Sequence, residues 1–429
     1  MLRAGFHVAD ITPPTGAAMP GGYAPRPAQG AHDPLRVRAG VLLGDDAALA
    51  FVGVDAVSLK SEDVLHAREM AAEVCPVPAG SVIVAASHTH TGGPANDVLG
   101  VDSDPHYREE IARRIAGAIA EAARNAVPAE VAQLAGIAEG LAWNRRWHIA
   151  DGSQETHVDP SREDVIGRAG PDDPQVLLLA LKAVDGDFLG VIGNFTCHCT
   201  VSATPGVSAD YPGVWSDLML RATGAPVVFL NGAMGDITQV NRELDLPQRG
   251  PEGITRIGRK LTGESLKLLA DATYDPAPVM GLASETISVD FRHPDPEQLQ
   301  RDRAMVASRQ PGDYSPEMVF ARDRVLLAEQ IEREGEQACE LICARVGDLA
   351  IASGPGQMFC EFGLDCKARS PFAHTMYASL ANGNAGYVPT AVAIATGGYE
   401  PTLCRGSKLA PEAGGQIVDA QVRLLEALA

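Results

Sequence analysis

The sequence predicts an α/β protein in which mixed β-sheets are flanked by helices. The chain has 429 residues, of which 45% are hydrophobic, and this is enough for one large or two ordinary cores. Strand-like and helix-like patterns alternate along the whole length, and no internal repeat or low-complexity tract interrupts them. We therefore expect a single domain over residues 1–429.

The first half alternates between the two patterns. After a strand-like start at 8–11, the pattern predicts strands over 39–43 and 47–54, a helix over 61–74, a strand over 82–86, a helix over 107–125 and a strand over 130–136. Residues 150–174 are polar and rich in Asp, Gly and Pro, which indicates a long surface excursion. The segments 175–184 and 188–195 flank Asp185-Gly186-Asp187, which is typical of a hairpin.

The second half continues this alternation. It predicts a strand over 226–230, a helix over 254–272, charged helices over 295–309 and 317–334, a hairpin of 338–346 with 349–353, and a final helix over 415–428. In folds of this kind, functional residues usually lie at strand ends.

Charge and composition exclude several classes of partner. The formal net charge is −20, from 35 Lys and Arg against 55 Asp and Glu, which argues against nucleic acid and anionic membranes. No stretch reaches the roughly 18 apolar residues that a membrane span needs, and the start shows no signal-like apolar region. The eight cysteines form no CxxC pair. We expect a cytoplasmic protein that binds a small molecule; a homo-oligomer stays open.

The most informative motif is the run from Ser87 to Pro94, SHTHTGGP, which follows a buried-strand pattern. On an extended chain His88 and His90 point to the same side. Two neutral imidazoles that converge there suit zinc. The alternative is two ordinary histidines with satisfied hydrogen bonds. In Cys197-His198-Cys199, a histidine that faces a site would leave both cysteines as small buried hydrophobes.

Further segments occur in a recognisable order. They are Ile11–Pro14 with Gly21-Gly22-Tyr23, Asn144-Arg145-Arg146, Asn194–His198, Asn231–Thr238, Gly354–Gln357, and Asn384–Thr390 with Gly398-Tyr399-Glu400. With the SHTHTGGP run they resemble the catalytic domain of the neutral/alkaline (non-lysosomal) ceramidases, especially its short bacterial relatives. The resemblance covers nearly the whole chain. It implies a ceramidase-like catalytic domain, here expected without the C-terminal immunoglobulin-like domain of the larger members.

The resemblance also implies one zinc ion per chain. His88, His198 and Tyr387 match family ligands, and Gln357 stands where the family has a ligating glutamate. A neutral amide is a poorer zinc ligand than a carboxylate. Glu361, one helical turn later, is the alternative ligand.

By the same resemblance, His90, Arg145 and Tyr399 would surround the metal-bound water and the scissile amide, and Thr238 replaces a family serine. Zinc-bound water has a pKa near ~7, and a guanidinium and a phenol can stabilise an oxyanion. From the residues alone, both tyrosines could be ordinary half-buried phenols, and Arg145 could be a surface residue stacked on a tryptophan.

Two acidic residues keep two interpretations each. Asp210 is either a helix N-cap or an active-site carboxylate, and Asp236 is either a turn residue or a partner of the residues that bind the metal.

The resulting prediction is a zinc-dependent amidase for a small polar N-acyl compound. Neither a signal peptide nor a lipid-facing accessory domain is expected, which disfavours ceramide. Arg145 and Arg146, between Trp143 and Trp147, could bind a substrate carboxylate. The alternatives are a true ceramidase that acts on N-acylsphingosine and a non-catalytic metal- or ligand-binding protein with a degenerate site.

Overall fold

The computed structural model describes residues 1–45 and 47–429. Helices and strands alternate along the chain, as the sequence predicts. The described strands are β1 (Arg3–Asp10), β2 (Ala18–Met19), β3 (Arg26–Pro27), β4 (Arg36–Leu43), β5 (Ala48–Val54), β6 (Val82–Ala86), β7 (Val127–Ile137), β8 (Trp143–Asn144), β9 (Arg146–Ile149), β10 (Gln154–Thr156), β11 (Val165–Arg168), β12 (Gln175–Ala183), β13 (Phe188–Phe195), β14 (Val227–Asn231), β15 (Ile237–Thr238), β16 (Met280–Asp290), β17 (Glu336–Val346), β18 (Leu349–Ser353), β19 (Gly356–Met358), β20 (His374–Ala378) and β21 (Gly386–Val388). The α-helices are α1 (Ser61–Ala72), α2 (Pro105–Arg124), α3 (Asp210–Thr223), α4 (Gly250–Ala270), α5 (Pro296–Ala307), α6 (Pro316–Glu334), α7 (Cys360–Arg369), α8 (Ala391–Thr396) and α9 (Ala413–Leu428).

Two mixed sheets form the frame. The larger has eight strands in the order β14-β13-β12-β7-β1-β4-β5-β6, and its halves join through a short pairing of β1 with β7. The smaller has the order β16-β17-β18-β20. Most neighbours are antiparallel, but β5 with β6, β13 with β14 and β18 with β20 are parallel. The prediction of mixed sheets flanked by helices is confirmed.

The strand faces alternate between a central core and outer cores. Leu177 and Leu179 of β12 join Phe51 of β5 and Ile342 of β17 in the central core, which is therefore enclosed by both halves of the large sheet and by the small one. Leu178, between the two β12 leucines, points to the opposite side of the sheet and is buried in an outer core. This alternation is what period-two side chains on a doubly covered strand produce.

Helices cover each outer face. The pair α1 and α2 packs on the β1-β4-β5-β6 half, α3 and α4 pack on the other half, and α7 and α9 pack on the small sheet. The amphipathic spacing of α2, with Ile111, Ile115 and Ile119 buried, explains why it lies on the sheet. Among the residues that the structure describes, no helix is both long and apolar enough to cross a membrane.

Several elements differ from the sequence pattern. The hairpin of β12 with β13 and that of β17 with β18 are confirmed. The pattern does not indicate β16, because much of this strand is exposed and carries Ser, Thr and Glu. The excursion over 150–174 contains β10 and β11, which pair with β9. The predicted strand over 188–195 coincides with β13, so His198 lies beyond the end of this strand and not within it.

Candidate metal centre

The HxH motif lies in a loop beyond the end of β6. The expectation that His88 and His90 lie on an extended segment is wrong, because His88 adopts a left-handed backbone with φ 70°. Its amide donates to the carbonyl of Ala56 at 2.9 Å. Its Nδ1 donates to the carbonyl of Val57 at 2.6 Å, so Nε2 carries the free lone pair. The His88 side chain, although buried, lines a cavity.

His198 lies in a second loop, three residues beyond β13. Its Nδ1 donates to the carbonyl of Met234 at 2.6 Å, which again leaves Nε2 free. Asn231, at the end of β14, ties the two loops together, because its side-chain amide donates to the carbonyls of Ser87 and Cys197 at 3.0 Å each. Carbonyl partners of this kind fix the orientation of imidazoles that bind metals.

The three histidines converge. One ligand nitrogen each from His88, His90 and His198 can be chosen such that all lie within 4.8 Å of one another. Nε2 of His90 is 3.1 Å from Nε2 of His88. Burial lowers the pKa of His88 and His198 well below 6.5 and that of His90 to about 4. All three are therefore neutral at pH 7, which is the form that binds a metal.

Gln357 and Tyr387 bring two oxygen atoms to the same place. They are paired in register on the parallel strands β19 and β21. The Oε1 atom of Gln357 is buried and has no hydrogen-bond partner among the described residues. The Tyr387 hydroxyl lies 3.4 Å from Nε2 of His198. Glu361, the alternative ligand, is exposed in the first turn of α7.

This donor set fits zinc. Zinc is held by nitrogen and oxygen donors at about 2.0–2.2 Å, most often four of them. Among the described residues, the Nε2 atoms of the three histidines have no hydrogen-bond partners other than one another and the Tyr387 hydroxyl, and Gln357 contributes a buried oxygen without a partner that a cation would satisfy. The buried histidine group could therefore hold a metal ion.

Arg145 lies next to this centre and is not a surface residue, since only 5% of it is exposed. Its Nε donates to Glu400 at 2.7 Å, and its Nη2 donates to the carbonyl of Gly235 at 2.8 Å and to the Tyr387 hydroxyl at 3.1 Å. The stack on tryptophan instead involves Arg168, whose guanidinium carbon is 4.5 Å from the Trp147 ring centroid.

Arg146 points to the other side of the same carboxylate. Its Nη1 donates to Glu400 at 2.6 Å, and its other nitrogens donate to Gln154 and to the carbonyl of Gly397. The suggestion that Arg145 and Arg146 together bind a substrate carboxylate is therefore not supported. Both donate to Glu400, and the remaining guanidinium nitrogens of Arg146 donate to other protein groups. Only Arg145 lines a cavity.

Tyr399 and Thr238 were the remaining catalytic candidates. The Tyr399 ring contacts that of Tyr387 edge-on, with centroids 6.2 Å apart, and lines the cavities at the histidines. Thr238 is buried on β15 and lines a separate small recess behind Arg145. The structure therefore brings Tyr399 to the site and leaves Thr238 outside it.

Asp210 and Asp236, which the sequence left with two interpretations each, both accept hydrogen bonds from other protein groups. The Asp210 carboxylate accepts from the amides of Val201 and Ser202 at 2.9 and 2.7 Å. That of Asp236 accepts from the amide of Cys360 and the side chain of Asn144 at 2.8 and 2.6 Å. Cys197 and Cys199 are free and buried in the outer core, as predicted.

Two cavities meet at the histidines. One, of about 350 Å³, is lined by His88, Gln357 and charged residues from several loops, and the other, of about 530 Å³, is lined by Arg26 and Arg145. Both include His90, Tyr387 and Tyr399 in their walls. A substrate whose reacting bond lies at the histidines could therefore extend in two directions.

Sequence reasoning missed Glu400 and Lys408 as parts of this site. Glu400 was visible only as the residue after Tyr399, and its role as shared counter-ion depends on contacts across 255 and 254 residues. Lys408 is buried in the wall of the smaller cavity. No sequence signal marked Lys408, because its neighbours include Arg405, Ser407 and Glu412, as is ordinary for an exposed lysine.

The fold is that of the neutral ceramidases. The neutral ceramidase from Pseudomonas aeruginosa superposes with a TM-score of 0.75 over 100% of this chain and 74% of its own, at 18% sequence identity. A ceramidase structure described as complexed with C2 gives 0.74, over 100% of this chain and 75% of its own, also at 18% identity. No family model and no curated protein matches the chain. The likeness confirms the resemblance at the level of the fold.

Proposed function

We propose that this chain is a metal-dependent hydrolase that cleaves a carbon–nitrogen amide bond in a small polar N-acyl compound. The observation that carries the proposal is the convergence of free imidazole nitrogens at the junction of two cavities, one of which is also lined by Gln357 with its unpartnered buried oxygen. Its location at strand ends is where α/β folds bind ligands.

In this proposal His88, His198, Gln357 and Tyr387 hold one zinc ion. Zinc, when bound, polarises carbonyl groups and brings the pKa of coordinated water towards about 7. The carbonyls of Val57 and Met234 keep the two histidines in the tautomer that leaves Nε2 free. Replacement of the family's glutamate by Gln357 weakens the metal site without removing an oxygen donor.

The remaining side chains divide the work of amide hydrolysis. His90, neutral at pH 7 because burial lowers its pKa to about 4, accepts a proton from the attacking water at Nε2 and gives it to the amide nitrogen as the carbon–nitrogen bond breaks. Nη1 of Arg145 has no hydrogen-bond partner among the described residues. With the Tyr399 hydroxyl it donates to the oxyanion that forms on the carbonyl. Thr238 has no part in this scheme.

The polarity of the smaller cavity favours a polar substrate over a ceramide. Its wall includes Lys60, Asp97, Asp323, Arg405 and Lys408. A long alkyl chain would remove water from these charged groups without replacing its hydrogen bonds, which costs free energy even for groups that are paired with one another. The solved structure with the same fold is named as a neutral ceramidase. N-acylsphingosine, which is a ceramide, is therefore the alternative substrate.

Metal analysis combined with an amide screen tests the proposal. We expect about one zinc per chain, hydrolysis of short N-acyl compounds that chelation abolishes and zinc restores, and kcat/KM well above that for ceramide in micelles. His90→Ala should keep the metal and lose most of the activity. Preference for ceramide would support the alternative, and metal binding without hydrolysis of any amide would support a degenerate site.

A further inference from the structure

Lys408 is buried in the wall of the smaller cavity, and only 5% of it is exposed. It lies on the segment before α9, which runs beside the strand that carries Tyr387. The amide of Tyr387 donates to the carbonyl of Gly406 at 2.8 Å, and the amide of Arg292 donates to the carbonyl of Lys408 at 2.7 Å. The backbone of Lys408 is thus held firmly, in the cavity that also contains His88.

The charged neighbours of Lys408 in this cavity all have partners of opposite charge. The pairs are Lys60 with Asp97 at 2.6 Å, Arg405 with Asp323 at 2.7 Å, Glu62 with Arg108 at 2.9 Å, Glu334 with Arg333 at 2.7 Å, and Glu400 with Arg145 and Arg146 at 2.7 and 2.6 Å. In the described part of the chain, the Lys408 ammonium has neither a carboxylate within 4.0 Å nor a hydrogen-bond acceptor. It is the one unpaired charge in the cavity wall.

The environment leaves this ammonium mostly charged at neutral pH. Burial lowers the pKa of Lys408 to about 8, although Glu334 opposes the effect. An unpaired buried ammonium costs free energy, and such groups are normally paired or hydrogen-bonded. A bound anion would supply the missing partner.

We propose that Lys408 binds a carboxylate at one end of the substrate, so that the substrate class is N-acyl compounds with a terminal carboxylate. This inference rests on the proposed function, because it assumes that the amide lies at the histidines. It replaces Arg145 and Arg146 as the carboxylate contact, since both already donate to the carboxylate of Glu400.

A substrate series tests the inference in the zinc-loaded protein. The anionic members are N-acetylglycine, N-acetyl-β-alanine, N-acetyl-4-aminobutyrate and N-acetyl-6-aminohexanoate, and the neutral reference is N-butylacetamide. For the best anionic member we expect Lys408→Met to lower kcat/KM about 10- to 100-fold, as for the loss of a hydrogen bond between charged groups. The neutral reference should keep its rate, and Lys408→Arg should restore most of the preference.

Lys60→Met is the matched control, because it removes the same charge from the same cavity but from a lysine that is paired with Asp97. It should change the preference for anions less than twofold. Equal losses in the two lysine variants would mean that only the total charge of the cavity matters. Equal losses for anionic and neutral substrates in Lys408→Met would mean that the residue only supports the fold. Either result overturns the inference.

A binding measurement separates this inference from the proposed function. The ketones 4-oxopentanoate to 8-oxononanoate replace the amide N–H of the series by CH₂ and cannot be hydrolysed in the same way. By calorimetry, at least one should bind at least tenfold more tightly than 2-heptanone, and Lys408→Met should abolish that difference. If no amide is cleaved but this difference is seen, the hydrolase proposal fails and Lys408 is still an anion site. If amides are cleaved and no difference is seen, only the Lys408 inference fails.

Discussion

Replacing Glu400 by glutamine should be among the most damaging isosteric changes in this chain. The carboxylate is fully buried and accepts from Nε of Arg145 at 2.7 Å, from Nη1 of Arg146 at 2.6 Å and from the Thr156 hydroxyl at 2.8 Å. Glutamine keeps the size but not the charge, and its NH₂ group would face donors. Two buried guanidiniums would then share no anion.

The expected cost is about 3–5 kcal/mol of the free energy of unfolding, which is typical of removing one partner from a buried ion pair. Glu334→Gln is the matched control. The Glu334 side chain is 37% exposed and pairs with Arg333 at 2.7 Å, so its loss should cost less than about 1 kcal/mol. The contrast separates a buried counter-ion from the general effect of removing one negative charge.

Urea denaturation as a function of pH provides the assay. Burial alone would raise the pKa of Glu400, but the charges of Arg145 and Arg146 outweigh it and lower the pKa below 4.5. The carboxylate therefore stabilises the fold above the unfolded-state pKa of 4.5, and this stabilisation is lost as the pH falls through the lower folded-state value. The gap between wild type and variant should be constant at pH 6–8 and narrow in acid. A gap below about 1 kcal/mol at pH 7, or one that widens in acid, would refute this reasoning.

Three further changes probe the metal centre and Lys408. His88→Ala or His198→Ala should remove most of the bound zinc without unfolding the chain; full occupancy in the double variant, measured by metal analysis, would contradict the ligand assignment. Gln357→Glu should bind zinc at least tenfold more tightly in a competition with a chelator, because a carboxylate adds charge, and an unchanged affinity would remove Gln357 from the ligand set. Lys408→Met should raise the free energy of unfolding at pH 7 by at most about 3 kcal/mol, since the pKa falls from 10.5 to about 8 at 1.36 kcal/mol per pH unit. Because the wild-type protein regains this free energy as the pH rises from 8 to 10.5, the gain should vanish by pH 10.5 in urea denaturation, and a less stable variant at pH 7 would contradict it.

The fold was largely predictable because many of its buried strands are short apolar runs that end at turn residues. Leu177, Leu178 and Leu179 form a continuous apolar run, and such a run indicates a strand covered on both faces. The turn residues of the two hairpins also indicate their positions. Strand β16 escaped prediction because it has an exposed face with polar residues, and its β-structure depends on pairing along its whole length with β17.

The sequence motifs contain the three histidines that converge, but they do not predict how the chain brings these histidines together. His88 and His90 do converge, yet not through strand alternation, because the chain turns into a left-handed conformation at His88. That conformation is stabilised by contacts to Ala56 and Val57, more than thirty residues earlier in the chain. Local patterns carry no information on such contacts. The same holds for Glu400, whose arginine partners lie in another part of the sequence.

The net charge of the chain is negative, whereas the unpaired charge in the smaller cavity, that of Lys408, is positive. We expect the local charge to determine which ligand binds. A net charge of −20 disfavours anions at long range, but screening limits such effects to about 8 Å at physiological ionic strength. Arg145, in the wall of the other cavity, already donates to Glu400, whereas Lys408 has no carboxylate within 4.0 Å in the described part of the chain. A carboxylate that enters the smaller cavity therefore meets one cation that lacks a carboxylate partner, on a residue of which only 5% is exposed, where ion pairing is stronger than at the exposed surface. The preference for anionic substrates should accordingly persist at high salt, in contrast to one that arises from the protein surface.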